Sequence, residues 1–183
     1  MTDFKADIES KAKFSTVRFS SLSFSTDVTA AAPLGDDLDS TKAQTNAIEY
    51  KGGWTNTQQA IALCDQTLDS AIITDPTDPP LRYILLFTDG TPTTWGAGAK
   101  KRNCTSVGGV GECFTAASAA ADAAKGKGIE VITVAVNTGS LDVPFLFSLN
   151  STGLGFQVTS FDEAEVVTDK ILGELDISCP PLA

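Results

Sequence analysis

Two stretches of the chain are apolar without interruption. Tyr83 to Phe87 lies within "RYILLFTDGTPTTWG", and Ile129 to Val136 reads "IEVITVAV". Continuous Val/Ile/Leu runs of this length predict strands buried on both faces, as in parallel sheets. Around them the apolar spacing is helical. Phe4, Ile8 and Ala12 predict an amphipathic helix already under way at Met1. "KGGWTNTQQAIALCDQTLDSA" predicts a second helix: a Gly-Gly turn, Thr55 with Gln58 three residues on as a capping box, and Ile61, Cys64, Leu68 and Ile72 as its buried stripe.

The remaining elements follow from the same reading. Residues 16 to 26 alternate as a strand with mixed faces, and "DVTAAAPL" follows as a short edge partner. A weakly periodic polar helix spans about Asp36 to Glu49. "DPTDPP" breaks the chain before the first apolar strand, and Gly90 to Glu112 reads as a long loop. An Ala-rich helix from Phe114 to Lys125 ends at "KGKG" and leads into the second apolar strand. "LDVPFLFSLN" predicts a short helix and "GFQVTS" a short strand. Ser160 with Glu163 opens a last helix carrying Phe161, Ala164, Val167, Ile171 and Leu175. Strands alternating with helices place the chain in the α/β class: a doubly wound, mainly parallel sheet with helices on both faces. One domain over 1–178 and a C-terminal tail, 179–183, are expected from 183 residues.

Composition narrows the chemistry. The formal net charge of -10 argues against a nucleic acid or an anionic membrane as partner, since both demand a basic face. The chain has no histidine, which excludes Ser-His-Asp and Cys-His nucleophile systems and every His-ligated metal. No apolar run is long enough to span a membrane. Cys104 and Cys113 flank the Gly-rich "TSVGGVGE", where a disulfide closes a segment that cannot pack by itself. That pairing favours oxidising surroundings and an extracellular or secreted protein. Asn103 and Asn150 stand in glycosylation sequons. Cys64, on its helix's apolar stripe, reads equally as a buried thiol or as a bridge to Cys179.

A carboxylate, Asp89, ends the first apolar strand, where open parallel sheets place their ligand crevice. Taken singly, Asp89-Gly90 is an ordinary turn pair and Thr55 an ordinary cap. Taken together and in order, "VRFSSLSFST", "YKGGWTNTQQAIALC", "RYILLFTDGTPT" and "AADAAKGKGIEVITVAV" resemble the von Willebrand factor A domain over nearly the whole chain. The resemblance implies a non-enzymatic protein-binding domain of adhesion or matrix type. It also implies a metal-ion-dependent adhesion site for Mg2+ or Mn2+, which a partner protein's acidic side chain completes. Carried over by motif, Thr55 and Asp89 are the threonine and aspartate of that site.

The resemblance is incomplete at the start. The family's first strand and its Asp-x-Ser-x-Ser motif have no counterpart in these residues. That strand is central in the family's sheet, so its absence leaves two strand edges unpaired. The chain is therefore expected to be a piece of a longer protein, a degenerate domain, or one completed by a strand from another chain. In each case metal binding is weak, because one hydroxyl and one carboxylate are few ligands for Mg2+. Trp54 and Trp95 flank the site as an aromatic rim for a partner, core packing being the alternative. Lys100, Lys101 and Arg102 form a basic patch that selects an acidic ligand or is a solvated loop. Two rival readings remain: an intracellular scaffold of the same family with free thiols, and a doubly wound metal-dependent enzyme using Asp89.

Overall fold

The computed structural model describes residues 18–35, 37–49, 51–70, 80–104, 110–137, 139, 141–160, 163, 167, 170 and 171. The expected opening helix, Ile72, most of the last helix, Cys179 and the tail lie outside the described residues. The two apolar runs form β3 (Arg82–Thr88) and β6 (Ile129–Val136), paired in parallel from Arg82↔Ile129 to Thr88↔Ala135. On the other side of β6 lies β7 (Gly155–Val158), also parallel, from Thr133↔Gly155 to Val136↔Val158. β6 is thus central, which is why nearly all of its side chains are buried.

Strand alternation divides the apolar side chains between two cores. On one face Ile84, Leu86, Val131 and Ala135 meet helices α2 (Thr57–Asp69), α3 (Val110–Gly126) and α4 (Val143–Leu149) through Ile61, Ala117, Ala121, Ala124, Leu146 and Leu149. On the other face Ile132, Val134 and Val136 pack with Leu154, Val158, Val167 and Ile171, joined by Tyr83, Leu85 and Phe87. Burial on both faces is the arrangement that the uninterrupted runs predict. The fully buried alanines of α3 let that helix lie close against α2 and β6.

The remaining strands β1 (Phe19–Phe24) and β2 (Val28–Gly35) form an antiparallel hairpin. Exposed Pro33 marks β2 as an edge, where a missing N–H donor costs no ladder bond. Helix α1 (Leu38–Asn46), capped by Asp37, packs on this hairpin. Among the described residues the hairpin and the β3–β6–β7 sheet share no ladder, and α2 spans them by packing on β1, β2 and β3.

Two expectations are corrected. The cap of α2 is Asn56, one residue after Thr55, with its side chain accepting from Gln59 N at 3.1 Å and donating to Gln59 Oε1 at 3.2 Å. The capping pair is therefore Asn56 and Gln59, and Thr55 belongs to the preceding loop. The long segment after β3 is not a plain loop either. It folds back as a miniature hairpin of β4 (Thr94–Trp95) and β5 (Arg102–Asn103), and α3 starts at Val110, before Phe114.

Opposite the strands' carboxyl ends, Lys127 donates to Asp65 at 2.8 Å and to Asp69 at 2.5 Å. The Lys127 hydrogen bond holds the Asp69 carboxyl below its ordinary range. Cys64 is a free thiol half-buried on α2, and burial pushes it up to about 11. It is therefore protonated near neutrality and no nucleophile. Among the described residues no helix is long and apolar enough to cross a membrane.

Candidate functional site

β3 ends in Thr88, which is buried and turns its hydroxyl back on the chain. Gly90 N donates to Thr88 Oγ1 at 3.2 Å, and the hydroxyl donates to Gly90 O at 3.1 Å. This local turn leaves Asp89 exposed at the carboxyl edge of the sheet. The loop that follows is laced to the loop before α2. Thr93 N and Thr94 N donate to Thr55 O at 3.0 and 3.2 Å, and Thr55 N donates to Thr93 Oγ1 at 2.7 Å. Contact is close enough to require glycine: a Cβ added at Gly90 would stand 2.4 Å from Thr55 Oγ1. Among the described residues the Thr55 hydroxyl has no hydrogen-bond partner.

Two further segments reach the same edge. Asp142 N, in the loop after β6, donates to Thr91 Oγ1 at 3.1 Å. From the β1–β2 turn, Ser25 O accepts from Asn56 N at 2.9 Å and Thr26 Oγ1 accepts from Trp54 N at 2.9 Å. Asn56 is the hub of this assembly and is fully buried. Besides capping α2, its amide donates to Thr26 O at 3.3 Å and to Gly96 O at 2.9 Å, while Gly96 N donates to Gln58 Oε1 at 3.0 Å. Gly96 adopts φ 82, a left-handed conformation that suits glycine. Sequence reasoning missed Asn56. Its signal was a second Asn/Thr-x-x-Gln pattern shifted by one residue from the pair that was read.

Of the expected site residues, the structure brings Thr55 and the Asp89 turn together. Trp54 stands beside them, 41% exposed. Trp95 does not join that rim. It is half-buried in β4 and lines a separate cleft of about 870 Å³ between α2 and α3, together with Lys100 and Arg102. Lys101 is directed elsewhere and pairs with Asp27 of the β1–β2 turn. Cys104 and Cys113 are bonded as a disulfide with Cα atoms 6.1 Å apart, fastening β5 to the first turn of α3. Asn103 is exposed in β5. Asn150 caps α4 with its amide nitrogen directed at Phe147 O and Ser151 O and its oxygen accepting from Gly155 N.

As a cation site this donor set is short. Among the described residues no three His, Cys, Asp or Glu side chains gather as a metal-binding group. Mg2+ demands near-ideal octahedral oxygen geometry, and one exposed carboxylate with one hydroxyl leaves most positions to water. The residues present therefore do not fit a firmly held resident cation.

Comparison with known proteins agrees with this architecture. The family model of the von Willebrand factor type A domain matches residues 3–170. Among solved structures, the chain is similar to the von Willebrand factor domain of the type V pilus tip protein Mfa5 from Porphyromonas gingivalis. The TM-score is 0.75 at 12% identity, covering 100% of this chain and 88% of that one. Proximal thread matrix protein 1 of the mussel byssus, solved also with a zinc-occupied metal-ion-dependent adhesion site, gives 0.68 at 19% identity, covering 98% of this chain and 42% of that one. The pilus adhesin SpaC of Lactobacillus rhamnosus GG gives 0.67 at 15% identity, covering 95% and 26%. This chain thus spans less than half the length of the byssus protein and about a quarter of the adhesin. No curated protein matches the sequence.

Proposed function

This chain belongs to the von Willebrand factor type A domain family, and from that premise we propose that it is a non-enzymatic protein-binding module of adhesion or matrix type. Its binding edge is the carboxyl end of the sheet, where Thr55 and Asp89 form a partial metal-ion-dependent adhesion site. The observation that carries this reading is the locking of the Thr55 loop to the Asp89 turn through the Thr93 and Thr94 bonds. A hydroxyl without a partner among the described residues and an exposed carboxylate then face one ligand, with Trp54 exposed beside them as an apolar contact. With so few donors a divalent cation would be held only weakly by Thr55 and Asp89, and would need an acidic side chain from a partner.

An extracellular setting fits the Cys104–Cys113 disulfide and the exposed sequon at Asn103. The similar structures, by their names, come from a byssus and from pili.

Thermal unfolding with and without millimolar Mg2+ or Mn2+, beside Asp89→Ala, tests the proposal. A ligand that binds only the folded state raises its melting temperature. A rise of no more than about 3 °C, lost in Asp89→Ala, is the expected result for a weak site. An equal rise in Asp89→Ala would remove Asp89 from the site. A phosphate-ester hydrolysis activity lost in Asp89→Ala would replace the binding reading with the enzymatic one.

A further inference from the structure

The cleft between α2 and α3 is distinct from the sheet's carboxyl edge, because neither Thr55 nor Asp89 lines it. Its floor is made of small side chains, Ala62 of α2 and Ala116, Ala119, Ala120 and Ala123 of α3, so an apolar group can approach the helix backbones closely. Trp95 closes one side and supplies a rigid aromatic wall. Lys100 and Arg102 stand at the mouth, both exposed.

Charge decides what such a cleft accepts. The chain carries 23 acidic against 13 basic residues, so two neighbouring cations without a carboxylate stand out against a negative background. Lys101 meets Asp27, Lys125 meets Asp122, and Lys127 meets Asp65 and Asp69. Lys100 and Arg102 meet none among the described residues. Among the described lining residues the one carboxylate, Asp65, is already bonded by Lys127 and does not oppose them. The mouth is therefore a positive spot on a negative protein. The volume of about 870 Å³ accommodates a few side chains, and the net charge of -10 repels a long polyanion.

We propose that this cleft docks an acidic peptide segment of a partner protein, with its carboxylates on Lys100 and Arg102 and a small aliphatic side chain on the alanine floor beside Trp95. The inference rests on the protein-binding reading and adds a second contact surface to it. The Cys104–Cys113 bridge holds the β4–β5 hairpin over the cleft, so the cations are presented on a fastened element.

The probe is a fluorescein-labelled octapeptide alternating Glu and Leu, and the readout is anisotropy at low salt. Saturable binding is expected, weakened about tenfold or more by Lys100→Glu with Arg102→Glu. Ala119→Phe, at an exposed position on the floor, is expected to block it. The same peptide with Gln for Glu should not bind, and added salt should weaken the complex. Asp89→Ala should bind as the parent does. That arm separates the two surfaces: peptide binding lost in Asp89→Ala would place the peptide at the sheet edge and overturn the cleft, whereas a parent without a metal response that still binds the peptide would fail the edge reading alone. No saturable binding, equal binding of the Gln peptide, or indifference to Lys100→Glu and Arg102→Glu would overturn the proposal.

Discussion

Asn56→Ala is expected to lower stability by about 3 kcal/mol, a fall of about 10 °C in melting temperature for a domain of this size. The figure has two parts. Losing the cap of α2 costs about 1 kcal/mol, because Gln59 N is left without its side-chain acceptor. The rest comes from the void left by the fully buried amide and from the part-buried Gly96 and Thr26 carbonyls, which lose its donors. Asn56→Ser keeps a capping oxygen and should recover only the first part. Since Asn56 joins the β1–β2 turn, α2 and the β4 loop, its loss should also loosen the Thr55 loop. Thermal melts of the parent and both variants check this.

Removing the disulfide as Cys104→Ala with Cys113→Ala is expected to cost a similar amount. The two cysteines are nine apart in sequence, and in the chain-entropy account opening a loop of that length costs about 3 kcal/mol. Both residues are buried, so the replacements also leave small voids. Cys104 N donates to Thr93 O at 2.8 Å and Thr94 Oγ1 to Arg102 O at 2.6 Å, and these bonds with the short β4–β5 ladder would then have to hold the hairpin's return. A melting temperature lower by about 10 °C, with or without reductant, is the expected reading. The parent should approach the same value once reduced. The octapeptide should bind the variant more weakly, because Lys100 and Arg102 ride on the hairpin that the bridge fastens.

Much of this arrangement was legible in the chain. β3 and β6 stand out because burial on both faces leaves no polar alternation, and the helices between them carry one apolar stripe each. The start of α2 was read one residue early for a physical reason. Thr55 with Gln58 and Asn56 with Gln59 both satisfy the capping spacing, and contacts distant in sequence, from Thr26 and Gly96, select Asn56. The β4–β5 hairpin was not legible. Strands of two residues leave no periodicity, and the disulfide and the bonds to Thr93 and Arg102 hold them. The basic run was visible as charge only. A single 3-10 turn, Gly98–Lys100, precedes β5, and the extended residue between them, Lys101, reaches Asp27 while Lys100 and Arg102 line the cleft. At the sheet edge, Asp89 stands out by its place after a predicted strand, and Thr55 joins it only through the resemblance to the von Willebrand factor A domain. Their contact depends on Gly90, whose role no spacing rule announces.

Thr55 and Asp89 can serve one ligand only if their loops touch, and a double-mutant cycle of Gly90→Ala with Thr55→Ala measures that contact directly. Gly90→Ala places a Cβ against Thr55 Oγ1 and Cγ2, atoms that Thr55→Ala removes. In the parent the glycine replacement should cost about 2 kcal/mol. In the Thr55→Ala background it should cost less by about 1 kcal/mol or more, a coupling typical of side chains in contact. Losses that add to within about 0.5 kcal/mol would mean that the two loops do not meet, and the shared binding edge would be contradicted.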